Sequence, residues 1–203
     1  MGFIVFEGID GSGKSTQARM LYDYMSRHEK TVMTREPTNG NIGKLLRSCL
    51  EKKEKVSDQT IQLLFTADRS EHVDYIRTEM LTASVISDRY ALSTIAYGKA
   101  AGLDEKWLIW LNSRFITPTT TLIIDVEAAE AMKRIAERAA GKTTRELFEK
   151  EEFLTSVRKA YLSLKHLYPN THIINATSTK EETFERVLEA IKRPEANHNK
   201  AGR

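Results

Sequence analysis

A glycine-rich segment near the start of the chain has the residue types needed to hold phosphate. It reads Gly8-Ile9-Asp10-Gly11-Ser12-Gly13-Lys14-Ser15-Thr16 and contains the pattern G-x-x-x-x-G-K-[ST]. Glycines let the backbone turn with its N–H groups pointing inward, where they can donate to phosphate oxygens. The Lys14 ammonium would pair with the β- and γ-phosphates, and the Ser15 hydroxyl would bind Mg²⁺. The segment therefore predicts a P-loop that binds a nucleoside triphosphate.

The residues around Asp88 indicate which class of reaction such a loop serves. P-loops occur in GTPases, ATP-driven motors and small-molecule kinases alike. The guanine-reading pattern Asn-Lys-x-Asp is absent from the sequence, which counts against a GTPase. Arg89 follows Asp88, where motors and partner switches commonly have Asp-Glu. A cation beside the phosphates favours an anionic second substrate over water, so we expect a kinase. A P-loop ATPase that switches a protein partner remains the alternative.

The elements that must position these residues follow from the hydrophobic pattern. Five short apolar segments fall at 3–6, 31–34, 84–87, 121–124 and 171–174. Unbroken apolar segments of this length are typical of strands covered on both faces. Helical spacing lies between them, most clearly from about 14 to 27, 57 to 80 and 146 to 168. The alternation predicts an α/β fold with a doubly wound parallel sheet.

Composition and charge exclude several classes of protein. The 203 residues predict one domain, which we place at 1–193, with a frayed tail at 194–203 that lacks apolar residues. The 31 Lys and Arg against 28 Asp and Glu leave a net charge of +3, too small to indicate nucleic-acid binding. The first apolar segment, Phe3 to Phe6, is too short for a secretory signal or a membrane span. Cys49 is the single cysteine, so we expect a cytoplasmic protein without disulfides.

Four motifs in order give the chain a family resemblance. They are Phe6 to Gln17 around the P-loop, Thr34-Arg35-Glu36-Pro37, Leu63-Leu64-Phe65-Thr66-Ala67-Asp68-Arg69, and Asp88-Arg89-Tyr90-Ala91-Leu92-Ser93-Thr94-Ile95-Ala96-Tyr97-Gly98. Together they resemble the thymidylate kinase family, whose members phosphorylate dTMP with ATP. The resemblance implies a P-loop NTPase fold with a five-stranded parallel sheet flanked by helices. It also implies a flexible basic lid at about 134–148, Mg²⁺ bound with ATP, and a homodimer.

The resemblance further implies an acceptor site for dTMP. Its residues would be Asp10, Glu36, Pro37, Phe65, Arg69, Arg89, Thr94 and Tyr97. In this interpretation Phe65 stacks on the thymine ring, while Arg69, one helical turn away, points at a base carbonyl. Arg89 contacts the monophosphate, and Tyr97 fills the space of a ribose 2′-hydroxyl. Asp10 would face the 3′-hydroxyl or a nearby metal, and Thr94 the base.

The residue pattern alone leaves alternatives at several of these positions. Phe65 and Tyr97 could be core residues, and Arg69 could pair with Asp68 or Glu71 on the surface. Asp88 ends an apolar strand at the edge where such sheets bind ligands, so we expect it near Mg²⁺ with Ser15. Asp125 ends the next strand without a following cation, and we interpret it as structural. The acceptor could also be dUMP or another nucleoside monophosphate.

Two departures from the family pattern affect the site. One branch of the family has an arginine where this chain has Gly11, so a lid arginine would supply the transition-state charge here. We expect Arg145 in that role, with Arg138 as second choice, although either could be a solvated residue at a helix end. The expected catalytic cations are thus Lys14, Arg89, Arg145 and Arg138. Gly98-Lys99 replaces a frequent glutamine-glycine pair, which leaves base contacts from that corner open.

Overall fold

The five predicted strands form one parallel sheet in the computed structural model, which describes residues 1–51, 53–138 and 144–192, with side chains except at 138 and 144–149. In chain order they are β1 (Phe3–Glu7), β2 (Thr31–Arg35), β3 (Ser84–Asp88), β4 (Thr120–Asp125) and β5 (Thr171–Asn175). The spatial order is β2-β3-β1-β4-β5. Each apolar segment predicted as a strand is confirmed. Every strand also continues to the polar residue that follows its apolar segment, and those polar ends carry much of the chemistry.

Eight helices flank the sheet within the described ranges. They are α1 (Lys14–Met25), α2 (Asn41–Leu50), α3 (Asp58–Met80), α4 (Ala91–Ala100), α5 (Glu105–Asn112), α6 (Ala128–Arg138), α7 (Thr144–Ser163) and α8 (Lys180–Lys192). Ser57 caps α3 by accepting from the Thr60 N–H at 3.2 Å, and Asp104 caps α5 from the Trp107 N–H at 2.7 Å. The predicted end of α7 at Tyr168 is wrong, since the helix ends at Ser163. The backbone then makes a turn in which the Leu167 N–H donates to the Leu164 carbonyl oxygen at 3.0 Å, and Pro169 disfavours helical backbone at Tyr168.

Both faces of the sheet are buried, which explains the unbroken apolar segments. Phe3 and Val5 pack into one hydrophobic cluster with Val73 and Ile76 of α3. Their neighbours Ile4 and Phe6 point to the other face and join the larger cluster there, with residues of α1, α4, α7 and α8. Alternate residues of one strand thus reach two different cores.

The strand register brings the polar strand ends to one edge of the sheet. Phe6 of β1 and Arg35 of β2 both lie opposite Asp88, the last residue of β3. The P-loop leaves β1 at this edge, and the connections after β2 and β3 start beside it. Open parallel sheets bind their ligands at the carboxyl ends of strands, so this edge is where a site is expected.

Some predicted features fall outside what the structure describes. Residues 139–143 of the predicted lid and the side chains of Arg138 and Arg145 lie outside the described residues. So does the predicted tail at 194–203. No helix within 1–51, 53–138 and 144–192 is long and apolar enough to cross a membrane.

Candidate active site

The P-loop joins β1 to α1 and has the backbone conformation that its glycines predict. Gly8, Gly11 and Gly13 have φ angles of +141°, +82° and +96°, a region that side chains rarely adopt. A Cβ added at Gly11 would also overlap the carbonyl oxygen of Ala131 in α6. Residue 11 must therefore be glycine in this packing, so an arginine at this position cannot be accommodated.

Lys14 lies folded back across the loop at the start of α1. Its Nζ donates to the Ile9 carbonyl oxygen at 3.3 Å and is 3.6 Å from Asp10 Oδ1. Burial, followed by the charge of Arg89, lowers the pKa of Lys14 to about 8. The ammonium is thus held where an anion would stabilise it, as the phosphates of a bound nucleotide would.

Arg89 lies across the P-loop in a strained backbone conformation. Its φ is +75°, and the strain is held by the Ser87 hydroxyl, which donates to the Arg89 carbonyl oxygen at 2.7 Å. The guanidinium donates to Asp10 Oδ1 at 2.5 Å and to the Gly8 carbonyl oxygen at 3.2 Å. Although burial alone would raise it, the cations of Arg89 and Lys14 bring the pKa of Asp10 below its ordinary value. The loop therefore contains a compact ion pair beside its phosphate cradle.

A cavity of about 780 Å³ opens next to Arg89 on the side away from α1. Seven of the eight predicted acceptor residues line it: Asp10, Glu36, Pro37, Phe65, Arg69, Arg89 and Tyr97. The eighth, Thr94, is buried behind the cavity, where its hydroxyl accepts a hydrogen bond from Arg69 at 2.8 Å. The cavity is large enough for a nucleotide and has aromatic, acidic and cationic groups on its wall.

Arg69 is fully buried and ion-paired with a partner distant in sequence. Its Nε and Nη2 donate to Glu36 Oε2 at 3.0 and 2.5 Å, and Nη1 donates to Asn112. The alternative of a surface pair with Asp68 or Glu71 is wrong, since Asp68 instead accepts from the Thr38 N–H and hydroxyl. Despite burial, Glu36 raises the pKa of Arg69 above its ordinary value.

The fork of Arg69 is therefore fixed at the wall of the cavity. Four of its five N–H groups have acceptors among the described residues, namely two on Glu36, one on Asn112 and one on Thr94. His72 Nδ1 lies 3.0 Å from the other oxygen of Glu36, so this carboxylate is held from two sides. One N–H of Nη1 remains for a ligand atom.

Two aromatic side chains, Phe65 and Phe153, also line this cavity. Phe65 is half-buried on α3, one turn before Arg69. Phe153 of α7 lies edge-on to Tyr97, with ring centroids 6.1 Å apart. Phe153 falls on the apolar face predicted for its helix, but nothing in the sequence placed it at a ligand cavity. Only the docking of α7 against α4 brings it there.

Asp88 and Ser15 lie at a second cavity of about 770 Å³, on the α1 side of the loop. Asp88 Oδ1 is buried and has no hydrogen-bond partner among the described atoms, which is costly unless a ligand satisfies it. A carboxylate oxygen and a hydroxyl are ligands that Mg²⁺ prefers, with phosphate oxygens and water completing the shell. These residues therefore fit the expected cation.

Two charged residues near the loop are held in structural pairs. Arg134, inside the predicted lid, donates to the carbonyl oxygens of Ser12 at 3.3 Å and Ala176 at 2.9 Å. It bridges the P-loop and the segment after β5. Asp125 accepts from Arg158 of α7 at 2.7 and 2.9 Å, in line with its interpretation as a structural acid.

Glu7 is the polar residue that sequence reasoning missed. It is the last residue of β1 and is completely buried. Its carboxyl group accepts from the N–H groups of Tyr90 at 3.0 Å and Ser93 at 3.1 Å. Burial raises the pKa of Glu7 to about 7, against the opposing effects of Ser93 and Arg89. Glu7 lies within the motif from Phe6 to Gln17, but the motif indicated no role for it, because its hydrogen-bond partners meet it only in the folded chain.

The fold and this pair of adjoining cavities define a P-loop kinase that acts on a second nucleotide. The family model for thymidylate kinase matches residues 6–187. The probable thymidylate kinase of Thermococcus kodakarensis is 40% identical over 200 residues, covering 93% of this chain and 96% of its own length. Those of Methanocaldococcus jannaschii and Pyrococcus horikoshii are each 37% identical, covering 94% of this chain and 95% of their own lengths. The chain belongs to the thymidylate kinase family, and its activity is that of an ATP-dependent dTMP kinase.

Proposed function

We propose that dTMP occupies the cavity lined by Phe65 and Arg69, with its phosphate at Arg89, while ATP lies on residues 8–16. The main support is the position of the Arg89 guanidinium, which donates to Gly8 and Asp10 of the P-loop and also lines the neighbouring cavity. A single cation thus reaches both sites, as transfer of a phosphoryl group between two anions requires.

The reaction needs alignment and charge neutralisation rather than a base. The attacking atom is a phosphate oxygen of dTMP that is already anionic, so no proton has to be removed. Lys14 holds the β- and γ-phosphates, and Arg89 holds the acceptor phosphate in line with them. Mg²⁺, held through Ser15 and Asp88, would neutralise charge on the β- and γ-phosphates when bound. Asp10 then turns from Arg89 towards the sugar 3′-hydroxyl.

Base and sugar selection follow from the cavity wall. The remaining N–H of Arg69 donates to a thymine carbonyl oxygen, and the Phe65 ring stacks on the base. The Tyr97 hydroxyl lies 3.2 Å from the Asp10 N–H and 3.3 Å from Arg89 Nη2, so its position is fixed. A fixed phenol beside the sugar leaves no room for a 2′-hydroxyl. Replacing Tyr97 with Ala should therefore raise the relative rate with ribonucleotide acceptors.

The test of the proposal is ADP formation with Mg²⁺, ATP and one acceptor at a time: dTMP, dUMP, UMP, dCMP or AMP. We expect dTMP to give the highest kcat/KM and the acceptor-free reaction to be very slow. Lys14→Ala should abolish turnover. Fast hydrolysis without acceptor would instead support the ATPase alternative, and a preference for dUMP would contradict the assignment of the base site.

A lid arginine completes the charge balance in this proposal, with Arg145 as first choice and Arg138 as second. Arginines in this role can contribute roughly 10³–10⁵ in rate. Arg145→Ala should lower kcat strongly while leaving the Kd for ATP little changed, as measured by single-turnover kinetics and calorimetry. Arg138→Ala is the matched comparison. If only Arg138→Ala loses activity, the two assignments are reversed.

We also propose that the enzyme is a cytoplasmic homodimer, as the family resemblance implies. Cys49 is buried and unpaired, which is in keeping with a reducing compartment. Two large apolar side chains, Leu63 of α3 and Trp110 of α5, are 50% and 69% exposed on helices that contact each other. We place the dimer interface there, because exposed apolar groups of this size commonly mark association surfaces.

A further inference from the structure

Glu7 is a fully buried acid that the reaction described above does not use. It lies directly before the P-loop, and every donor around it converges on the carboxyl group. Besides the two backbone N–H groups, the hydroxyls of Ser93 and Tyr161 both reach Oε2, the second at 3.2 Å. Burial of a carboxyl group costs free energy, and hydrogen bonds such as these are needed to offset that cost.

The same two hydroxyls touch Arg89 on their other side. Arg89 Nη1 donates to Ser93 Oγ at 3.0 Å and to the Tyr161 hydroxyl at 3.4 Å. A hydroxyl has one proton and two lone pairs, so it accepts from Arg89 only when its own proton points elsewhere. An ionised carboxylate, which accepts and cannot donate, draws these protons towards itself.

We propose that Glu7 is a positioning residue for Arg89, and that its carboxylate orients the hydroxyls of Ser93 and Tyr161 so that they hold the guanidinium ready for the acceptor phosphate. The inference rests on the proposed function in one respect, the assignment of that phosphate to Arg89. Three elements meet in this arrangement. Glu7 ends β1, Ser93 lies on α4 and Tyr161 lies on α7, the helix whose first turn contains Arg145.

Protonation of Glu7 would reverse the direction of these hydrogen bonds. A neutral carboxyl group donates to one of the hydroxyls and so competes with Arg89 for its lone pairs. With a pKa near 7, Glu7 changes its charge within the working range of a cytoplasmic enzyme. Several charged and titratable groups interact electrostatically with Glu7. They are Arg89 directly after β3, Arg69 of α3, Lys14 of α1, Tyr161 of α7, and Tyr168 after α7.

Glu7→Gln tests the proposal, because the amide keeps the shape and imitates the protonated acid. We expect the KM for dTMP to rise roughly tenfold, the size of one lost hydrogen bond to a charged group. The KM for ATP should change less than about twofold, since Lys14 keeps its contacts with Ile9 and Asp10 and the loop amides are unchanged. Glu7→Asp, which keeps the charge, should recover part of the loss.

The pH profile separates positioning from general damage. For the native enzyme, kcat/KM for dTMP should rise between pH 6 and 8 through two ionisations, that of Glu7 and the second one of the acceptor phosphate near pH 6. Glu7→Gln should retain only the phosphate ionisation. A folded Glu7→Gln protein with the native KM for dTMP and the native profile would overturn the proposal. So would an equal rise in both Michaelis constants.

Tyr161→Phe gives a second route if Glu7→Gln does not fold. Loss of this one hydroxyl should raise the KM for dTMP severalfold, by a smaller factor than Glu7→Gln, and leave the KM for ATP unchanged. Ser156→Ala is the matched control, since the Ser156 hydroxyl donates to the Glu152 carbonyl oxygen at 3.2 Å on the exposed side of the same helix. A native KM for dTMP in Tyr161→Phe would contradict the proposal. Failure of the unmodified enzyme to phosphorylate dTMP would instead refute the proposed function.

Discussion

At the scale of single residues, the site is organised around two cations that are placed before any nucleotide arrives. Lys14 and Arg89 are both largely buried. Both contact Asp10, at 3.6 and 2.5 Å, and these contacts restrict the positions of the two side chains. Burial of the Lys14 ammonium, followed by the nearby charge of Arg89, disfavours its protonated form and so lowers the pKa of Lys14. Anionic phosphates bound beside Lys14 would favour the charged form again.

This situation predicts proton uptake when ATP binds. At pH 8.5 part of the free enzyme has a neutral Lys14, because its pKa is about 8, and the bound phosphates would restore the charge. We expect uptake of about three quarters of a proton per ATP at pH 8.5 and much less at pH 7. Calorimetry in buffers of different ionisation enthalpy measures this quantity.

The matched control for Lys14 is an exposed lysine away from the site. Lys106→Met on α5 should leave the uptake unchanged. Equal uptake at pH 7 and pH 8.5 would show that Lys14 is fully charged in the free enzyme. The experiment tests the direction of the pKa shift of Lys14, since a lysine with a raised pKa would be charged at both pH values and would take up no proton.

Residue identities predicted from the sequence were more reliable than residue partners. The P-loop motif fixes the types and spacing of Gly8 to Ser15, because each one serves a local backbone need. The partner of Arg69 could not be found in the same way, since Glu36 is 33 residues away and meets it only when β2 and α3 pack. Thr94 was expected to face the base but instead supports Arg69 from behind. Hydrogen bonds between distant elements leave no mark in local spacing.

At the scale of elements, the P-loop and α6 are packed so closely that only glycine fits between them. The Ala131 carbonyl oxygen occupies the place where a Cβ of residue 11 would lie. This contact explains physically why the branch of the family with arginine at this position is closed to this chain. We therefore expect the charge for the transition state to come from another element, and our proposal assigns it to Arg145 in the first turn of α7.

Two glycine substitutions should separate steric from backbone effects. Gly11 and Gly102 have nearly equal φ angles, +82° and +84°, but a Cβ at Gly102 meets no atom within 4 Å. Gly102→Ala should cost only the left-handed strain, about 1 kcal/mol in the free energy of unfolding. Gly11→Ala should cost clearly more and weaken ATP binding, as measured by denaturant unfolding and calorimetry. Equal losses in the two variants would mean that α6 moves away freely.

Elements with uniform surroundings were the ones that the sequence predicted well. The central strands β1, β3 and β4 are buried along almost their whole length, so their apolar segments are continuous and easy to recognise. The end of α7 was predicted too late, since the apolar spacing continues through Leu164 to Tyr168 although the backbone turns before Pro169. Periodicity reports which side is buried, whereas a proline acts on the backbone before it.

At the scale of the whole molecule, one sheet organises the chain. Both hydrophobic clusters are built on its two faces, which supports the proposal that residues 1–193 fold as one domain. The cavity that contains Ser15 and Asp88 and the cavity that contains Phe65 and Arg69 both include residues at the carboxyl edge of this sheet. Helix α3 lines the acceptor cavity with Phe65 and Arg69, and α5 supports it through Asn112, which accepts from Arg69. Both helices also have exposed apolar residues, Leu63 and Trp110.

The exposed face of α5 gives a test of the proposed dimer. Sedimentation velocity should give a mass near twice the 23.1 kDa of the chain. Trp110→Glu should convert the protein to a monomer at micromolar concentration, because a charge would be buried in the interface. Ile173→Glu, at an exposed position of the opposite edge strand β5, should leave the dimer intact. A native monomer would contradict the proposal outright.

The Asp10–Arg89 pair also determines which anions the resting enzyme ignores. Because the guanidinium already has a resident carboxylate, inorganic phosphate or sulfate must displace it without any compensating contact for the released acid. In the proposed complex, dTMP supplies that compensation, since its sugar offers Asp10 a hydroxyl while its phosphate binds Arg89. We therefore expect millimolar phosphate to inhibit the enzyme only weakly. In this proposal the acceptor site selects a ligand that can replace both Asp10 at Arg89 and Arg89 at Asp10.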